Sequence, residues 1–220
     1  MKKIITIDGP SGAGKSTVAK EIAKRLGFEY LDTGALYRAV ALYLRRKGFD
    51  EGISDEDLRV VLKDVQIVFN SGHVYLNGED VSKEIRTPEI GHYSSVFSAR
   101  PVVREFLLGL QRDFPKHHNT VAEGRDMGTV VFPEADCKFF LDASTEERAK
   151  RRYLQLRQMG KEITEEEALK DVIERDRRDS SRDIAPLKKA DDAIYIDTTN
   201  IDLQQTIDLI LKNIEQNCFK

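Results

Sequence analysis

The chain has little of what would commit a protein to an oxidising compartment, a membrane or a nucleic acid. It holds two cysteines in 220 residues. Cys137 and Cys218 lie far apart and form no metal-ligand or disulfide pattern, so a reducing cytoplasm is the expected setting. No apolar run approaches a membrane span. The opening MKKIITID enters a strand-like pattern directly, without the apolar stretch and small-residue cleavage site of a secretory signal. There is no excess of positive charge either: 35 Lys and Arg stand against 38 Asp and Glu, a formal net charge of −3. Nothing therefore draws the whole molecule to nucleic acid, and any basic function must come from local clusters. No internal repeat and no low-complexity linker interrupts the chain. With 40% apolar and 33% charged residues, it can bury one good core and at most a small appended lobe.

What is present alternates between strand and helix patterns, which predicts an α/β fold with a largely parallel sheet. IITID (4–8) and FEYLD (28–32) read as strands, and TVAEG (120–124), KFFLD (138–142) and AIYID (193–197) as three more. Helices are expected over 16–26, where Val18, Ile22 and Leu26 share a face before Gly27, over 35–47, around 88–113 and over 203–216. Residues 65–81 change texture: two strand-like runs are separated by Asn70-Ser71-Gly72, and Asn77-Gly78 follows. That pattern predicts a small antiparallel insert.

The strongest chemical signal is GPSGAGKS, Gly9–Ser16, placed between a strand and a helix. It matches the phosphate-binding loop of Gly, four residues, Gly, Lys, then Ser or Thr. Gly9, Gly12 and Gly14 let the backbone wrap a phosphate with its amides pointing inward, and Pro10, Ser11, Ala13 and Thr17 complete the loop and the helix start. Lys15 would reach the β- and γ-phosphates, and the Ser16 hydroxyl would ligate Mg²⁺. The chain is expected to bind a nucleoside triphosphate. No Asn-Lys-x-Asp or Asp-x-x-Gly element of a GTPase switch occurs, which leaves a small-molecule kinase as the best reading. A kinase acting on UMP or a hydroxyl acceptor, and a non-catalytic nucleotide-binding module, are the alternatives.

Ligands of open α/β sheets sit beyond the carboxyl ends of the strands. After the second strand comes LDTGALYR, where Asp32 or Thr33 can cap the helix and Tyr37 and Arg38 sit in its first turns. After the third comes EGRDMGT, with Arg125 and Asp126 beside Gly124. Either Glu123 or Asp142 could support magnesium through water. The run RDRRDSSRD (175–183) places Arg175, Arg178, Asp179 and Arg182 within about 100° of one helix face, with Asp176 pointing elsewhere.

These segments carry a resemblance that covers the chain. IDGPSGAGKST, LDTGALYR, GEDVSKEIRT, RPVVREFLLGLQRDF, EGRDMGTVVFP, FLDASTEERAKRR and RDRRDSSRDIAPL together resemble the bacterial-type cytidylate kinases. The resemblance implies a P-loop kinase core with a five-stranded parallel sheet flanked by helices, a small antiparallel β insert and a short helical lid. The single domain would divide into a core (1–62, 115–155 and 186–220), a nucleoside-monophosphate-binding insert (63–114) and a lid (156–185). The implied reaction is ATP plus CMP or dCMP giving ADP plus CDP or dCDP, with Mg²⁺, in a cytoplasmic monomer of pyrimidine nucleotide metabolism. Ser95, Arg104 and Asp126 would read cytosine; Arg38 and Arg125 would grip the acceptor phosphate beside Tyr37. Arg175 and Asp179 would meet the sugar, and Arg182, with Arg178 nearby, would approach the transferring phosphoryl group. Lys15, Arg125, Arg178 and Arg182 would be the catalytic cations. Thr33 and Glu123 stand where other members have Ser and Asp, and Ser16 where some have Gly.

Overall fold

A computed structural model describes residues 2–70 and 72–218. β1 (Ile4–Asp8) leads through the glycine-rich turn into α1 (Lys15–Leu26), then β2 (Glu29–Asp32) and α2 (Thr33–Arg46). A short α3 (Asp55–Val61) precedes β3 (Ile67–Asn70), β4 (His73–Leu76) and β5 (Glu79–Asp80), and α4 (Pro88–Phe97) and α5 (Pro101–Asp113) follow. The chain continues through β6 (Thr120–Gly124), β7 (Cys137–Asp142), α6 (Thr145–Gln158), α7 (Glu165–Ser181), β8 (Ile194–Asp197) and α8 (Leu203–Asn217).

Five of these strands form one parallel sheet in the order β2-β6-β1-β7-β8. From β1 the chain crosses to one side through β2 and β6, then to the other through β7 and β8. The crevice beyond β1 is therefore a topological switch point. Period-2 alternation divides the core. Ile5 and Ile7 of β1, Val121 of β6 and Phe139 and Leu141 of β7 pack beneath α1 and α8, while Leu31 and Ala122 face α2 and the insert. Side chains cap most helices: Asp32 caps α2, Thr164 and Asp202 form capping boxes on α7 and α8, and Ser144 caps α6. α1 differs, for it starts at Gly14 in a left-handed conformation with no side-chain cap. Its first amides are left open to a ligand.

The insert is a three-stranded antiparallel sheet, β3-β4-β5, one strand more than the texture of 65–81 suggested. Its second turn is Asn77-Gly78, both at positive φ (50° and 86°) as the dipeptide predicts. The first, expected at Asn70-Ser71-Gly72, includes Ser71, which lies outside the described residues. The helix expected around 88–113 is two helices, because Pro101 cannot continue α4 and disfavours helical geometry before it. α6 and α7 pack side by side beyond β7.

The cysteines correct the sequence reading. Cys137, opening β7, and Cys218, just past α8, are paired in a disulfide with Cα atoms 5.3 Å apart. Eighty-one positions of separation carry no sign of this contact. It follows from α8 lying over β7 in the second core. No helix among the described residues is long and apolar enough to cross a membrane.

Leu36, wholly buried on α2, joins the helix to the sheet and insert. Leu36→Ala should destabilise the chain by about 2–5 kcal/mol in urea unfolding, the range for a fully buried leucine.

Candidate active site

Strand register delivers three carboxylates to one edge of the sheet, with Asp8 level with Gly124 and Asp32 level with Glu123. Asp8 accepts the Met127 and Gly128 amides at 2.9 and 2.8 Å, pinning the loop after β6. Burial pushes its carboxyl up to about 6 in spite of those bonds. Asp32 caps α2 by accepting the Ala35 amide at 2.9 Å, and its second oxygen accepts from Arg86 at 2.7 Å. Glu123 accepts from the Ser16 hydroxyl at 2.9 Å and from the Tyr30 hydroxyl. Burial and then the neighbouring Asp32 charge raise the Glu123 pKa above its ordinary value.

Over this edge opens a cleft of about 430 Å³. The phosphate loop lines one wall with Ser11, Gly12, Gly14, Lys15, Ser16 and Thr17. Thr33, Tyr37 and Arg38 line the start of α2, Ser95 and Arg104 come from α4 and α5, and Glu123, Arg125 and Asp126 from the end of β6. Arg151, Arg152, Arg175, Asp179 and Arg182 close the far side. Glycine is obligatory at two turning points. At Gly9, with φ 147°, a Cβ would lie 1.9 Å from the Leu141 carbonyl oxygen; at Gly124 it would lie 2.8 Å from the Met127 side chain and 2.9 Å from the Thr33 hydroxyl. After Asp126 the backbone makes a π-type turn over Met127–Val131, the segment Asp8 holds.

The cations of the cleft fall into two groups. Arg104 is paired with Asp126 and donates to the Ser98 carbonyl at 3.1 Å; Arg125 donates to Asp179 at 2.8 Å. For both, burial lowers the pKa, but neighbouring acidic groups outweigh it and hold the guanidinium above its ordinary value. Lys15, Arg38, Arg175 and Arg182 are all lowered, burial being the largest cause. Lys15 folds back onto the Pro10 carbonyl at 2.6 Å. Arg175 is pushed down to about 9 by burial and by Arg125 beside it, and its Nε is buried without a hydrogen bond among the described residues. A guanidinium stays charged near neutrality, so such crowding is a standing electrostatic cost, which a multivalent anion would relieve.

Most of the residues singled out in the sequence meet here, with informative exceptions. Gly9, Pro10 and Ala13 are buried behind the loop and do not line the cleft. Asp142 is absent from the lining; it accepts its neighbour Ala143's amide at 2.8 Å and stands 3.7 Å from Arg148. Thr33 does not cap α2, a role that Asp32 fills; its hydroxyl donates to the Glu123 carbonyl at 2.6 Å. The single helix face drawn through Arg175, Arg178, Asp179 and Arg182 also needs correction. α7 ends at Ser181, and Arg182 is extended (φ −70°, ψ 141°), donating to Ala185 O at 2.6 Å. Arg178 lies outside the lining, with its Nε on the Ser95 hydroxyl at 3.2 Å.

Asp176, expected to point away, pairs at 2.5 Å with buried Arg148, which also donates to the Ser11 carbonyl at 3.2 Å. α7 is therefore in contact on the side that carries Asp176 as well, while Glu166, Lys170, Ile173, Glu174 and Arg177 form its exposed face. Arg148 thereby joins the phosphate loop to α7. Arg148, Arg151, Arg152, Asp8, Tyr30 and Arg86 were all missed in the sequence. Only Asp8, ending a strand before Gly-Pro, carried a positional signal.

The family model described as cytidylate kinase matches residues 5–216. A cytidylate kinase of Thermodesulfovibrio yellowstonii is 56% identical over 221 residues, which cover 99% of this chain and 100% of that one. One of Thermosipho melanesiensis is 51% identical over 214 residues, 97% of each chain. Among solved structures, an uncharacterised protein from Eubacterium ventriosum aligns with a TM-score of 0.54 at 15% identity, over 98% of this chain and 99% of that one. That likeness shows the fold alone.

If unrelieved positive charge dominates the cleft, Arg175→Gln should raise the thermal midpoint of the ligand-free protein. The expected rise is about 2–4 °C, what roughly 1 kcal/mol makes at this chain size. The same change should shrink the upward shift produced by tripolyphosphate. Differential scanning fluorimetry reads both.

Proposed function

The chain belongs to the cytidylate kinase family and transfers a phosphoryl group from ATP to CMP; from that premise we propose how its own residues divide the work. The observation that carries the reading is the set of cleft cations left without a carboxylate, lying beside a phosphate loop whose helix has no side-chain cap. Gly9–Thr17 would hold the ATP phosphates, with Lys15 leaving the Pro10 carbonyl to meet the β- and γ-phosphates. The acceptor is a phosphate oxygen that is already anionic, so no general base is needed. The protein has to bring two highly charged groups into line and hold the charge spread over the transition state.

The neighbourhoods of Arg175 and Arg182 favour a division of labour different from the one the resemblance implied. Arg175 feels Arg125 and Arg38 most among the cations, and Lys15 in turn feels Arg125 and Arg175. We therefore assign Arg38, Arg125 and Arg175 to the phosphates. Arg182 sits by Arg104, Asp126 and Tyr37, on the side where Ser95, Arg104 and Asp126 would read cytosine. A carboxylate can accept from the exocyclic amine of cytosine, where uracil would present a carbonyl and be repelled. Asp179, held by Arg125, would meet the sugar, and Arg178 supports Ser95 rather than entering the cleft. Thr33 would line the acceptor side of the cleft, its hydroxyl held on the Glu123 carbonyl.

The donor set fits Mg²⁺. The Ser16 hydroxyl and the Glu123 carboxylate face each other at 2.9 Å on the cleft wall, both hard oxygen donors, and burial makes Glu123's negative charge costly until a cation neutralises it. Of the two carboxylates considered, Glu123 is favoured, because Asp142 does not line the cleft. When bound, Mg²⁺ would neutralise phosphate charge and orient the terminal phosphate. α6 and α7 would act as the lid that excludes water. The nucleotide substrates favour a cytoplasmic setting, and the cleft residues named here all come from one chain, so a monomer suffices.

Asp126→Ala should lower kcat/KM for CMP roughly 10–100-fold, the value of a hydrogen bond of about 1.5–3 kcal/mol to a charged group. KM for ATP and turnover of UMP should change far less, in a coupled ADP-release assay. Equal losses on CMP and UMP would refute base reading. Asp8 sets a second expectation. Its folded pKa is raised, so lowering the pH through about 6 protonates it and turns an acceptor facing two amides into a partial donor. The rate should fall on that acid side. Asp8→Asn should show the reduced rate already at neutral pH and lose the acid limb in a pH–rate profile.

A further inference from the structure

One residue of the insert, outside the cleft lining and unused in the scheme above, grips a carboxylate of that lining. Arg86 ends the short turn Glu84–Arg86 that follows β5. Its Nη2 donates to Asp32 Oδ2 at 2.7 Å, and the Asp32 side chain is 5% exposed. Arg38, one helical turn into α2, is the other cation close to that carboxylate. Burial works against ionised Asp32, Arg86 and then Arg38 work for it, and the net effect is a pKa below the usual carboxylate range. A Cβ placed on Gly34 would lie 3.2 Å from Arg38 Nη1 and 3.3 Å from Asp32 Oδ1, so the two groups flank the same point. Yet the structure gives Asp32 to Arg86. The guanidinium of Arg38 makes no hydrogen bond to any described residue and stays at the cleft wall.

A buried carboxylate takes a cation wherever one is within reach, since an unpaired charge there is costly. Two arginines compete for Asp32, and the one that wins comes from the insert. We propose that Arg86 is a positioning residue that occupies Asp32 so that Arg38 remains free to bind the phosphate of the acceptor nucleotide. Without Arg86, Arg38 turns back onto Asp32 and the acceptor loses a phosphate ligand. Arg86 also screens Glu123, whose carboxyl Asp32 otherwise disfavours as an anion. The insert is fastened to the same helix on its outer side, where Arg46 pairs with Glu79 and Glu84 at 2.6 and 2.5 Å. The 65–87 region is thereby tied to α2 at both ends of the helix, and Arg86 is the tie that touches the site.

The inference rests on Arg38 being a phosphate ligand, so the test separates the two. Steady-state kinetics would compare the parent with Arg38→Met, Arg86→Met, Asp32→Asn and the Arg86→Met/Asp32→Asn double variant. Arg38→Met should raise KM for CMP; an unchanged KM would overturn the phosphate assignment itself. Arg86→Met should raise KM for CMP roughly 10–100-fold, the loss of one charged hydrogen bond, with KM for ATP moving less than about twofold. Asp32→Asn keeps an effective helix cap but removes the competing charge. In the double variant it should return KM for CMP most of the way to the parent value. A purely structural tie predicts no such rescue. Unchanged CMP binding in Arg86→Met, or a rise that Asp32→Asn does not reverse, would overturn the proposal. Thermal melts accompany each variant, and Arg86→Gln replaces Arg86→Met if the latter unfolds. Loss of the fold in both would likewise overturn it, by showing the contact to be a strut.

Discussion

The arrangement depends on one constraint: positive charge held at the carboxyl edge of a parallel sheet without enough carboxylate to neutralise it. Lys15, Arg38, Arg175 and Arg182 are each disfavoured as cations by burial, and a folded chain tolerates that only when something else stabilises the frame. The frame is the double core on either face of the sheet, with Ile5, Ile7, Phe139 and Leu141 under α1 and α8, and Leu31 and Ala122 under α2 and its Leu36. Apolar burial there offsets electrostatic cost at the edge. In the proposed scheme the relief would come from substrate, since two nucleotides bring the phosphate charge that the edge lacks.

Carboxylates decide which arginines remain free. Asp126 takes Arg104, Asp179 takes Arg125, Asp176 takes Arg148 and Asp32 takes Arg86. Arg148 and Arg86 are thereby fixed outside the cleft lining, whereas Arg104 and Arg125 stay in the lining with their orientation set by their carboxylates. These pairs also join separate segments: Arg148 connects the phosphate loop to α7, Arg125 connects the β6 edge to α7, and Arg86 connects the insert to α2. Closing over substrate would act on segments already coupled through shared ion pairs, a design that suits a reaction in which water has to be excluded.

Much of this was legible in the sequence where the chemistry is local. The strand, the glycine turn and the helix of Gly9–Ser16 are contiguous, as are Asn77-Gly78 in its hairpin and the end of α1 at Gly27. The five core strands fall within a residue or two of their apolar runs. The break between α4 and α5 is marked in the sequence by Pro101, although the apolar pattern continues across it. The Cys137–Cys218 contact was not readable, since α8 meets β7 only after both faces of the sheet are packed.

By itself, the sequence determined the fold class, the phosphate loop and the set of charged residues that could serve a nucleotide, because each depends on periodicity or on short spacing. Tertiary structure put Glu123 on the cleft wall and Asp142 off it, separated Arg175 from Arg182, and set Arg178 on Ser95 and Arg86 on Asp32. The physical reason is that a charge's role is set by its partner, and partners here lie 54 positions apart for Arg125 and Asp179, 54 for Arg86 and Asp32, and 83 for Arg178 and Ser95. Which of several identical guanidinium groups finds a carboxylate, and which is left for a phosphate, depends on distances that exist only once the layers have packed.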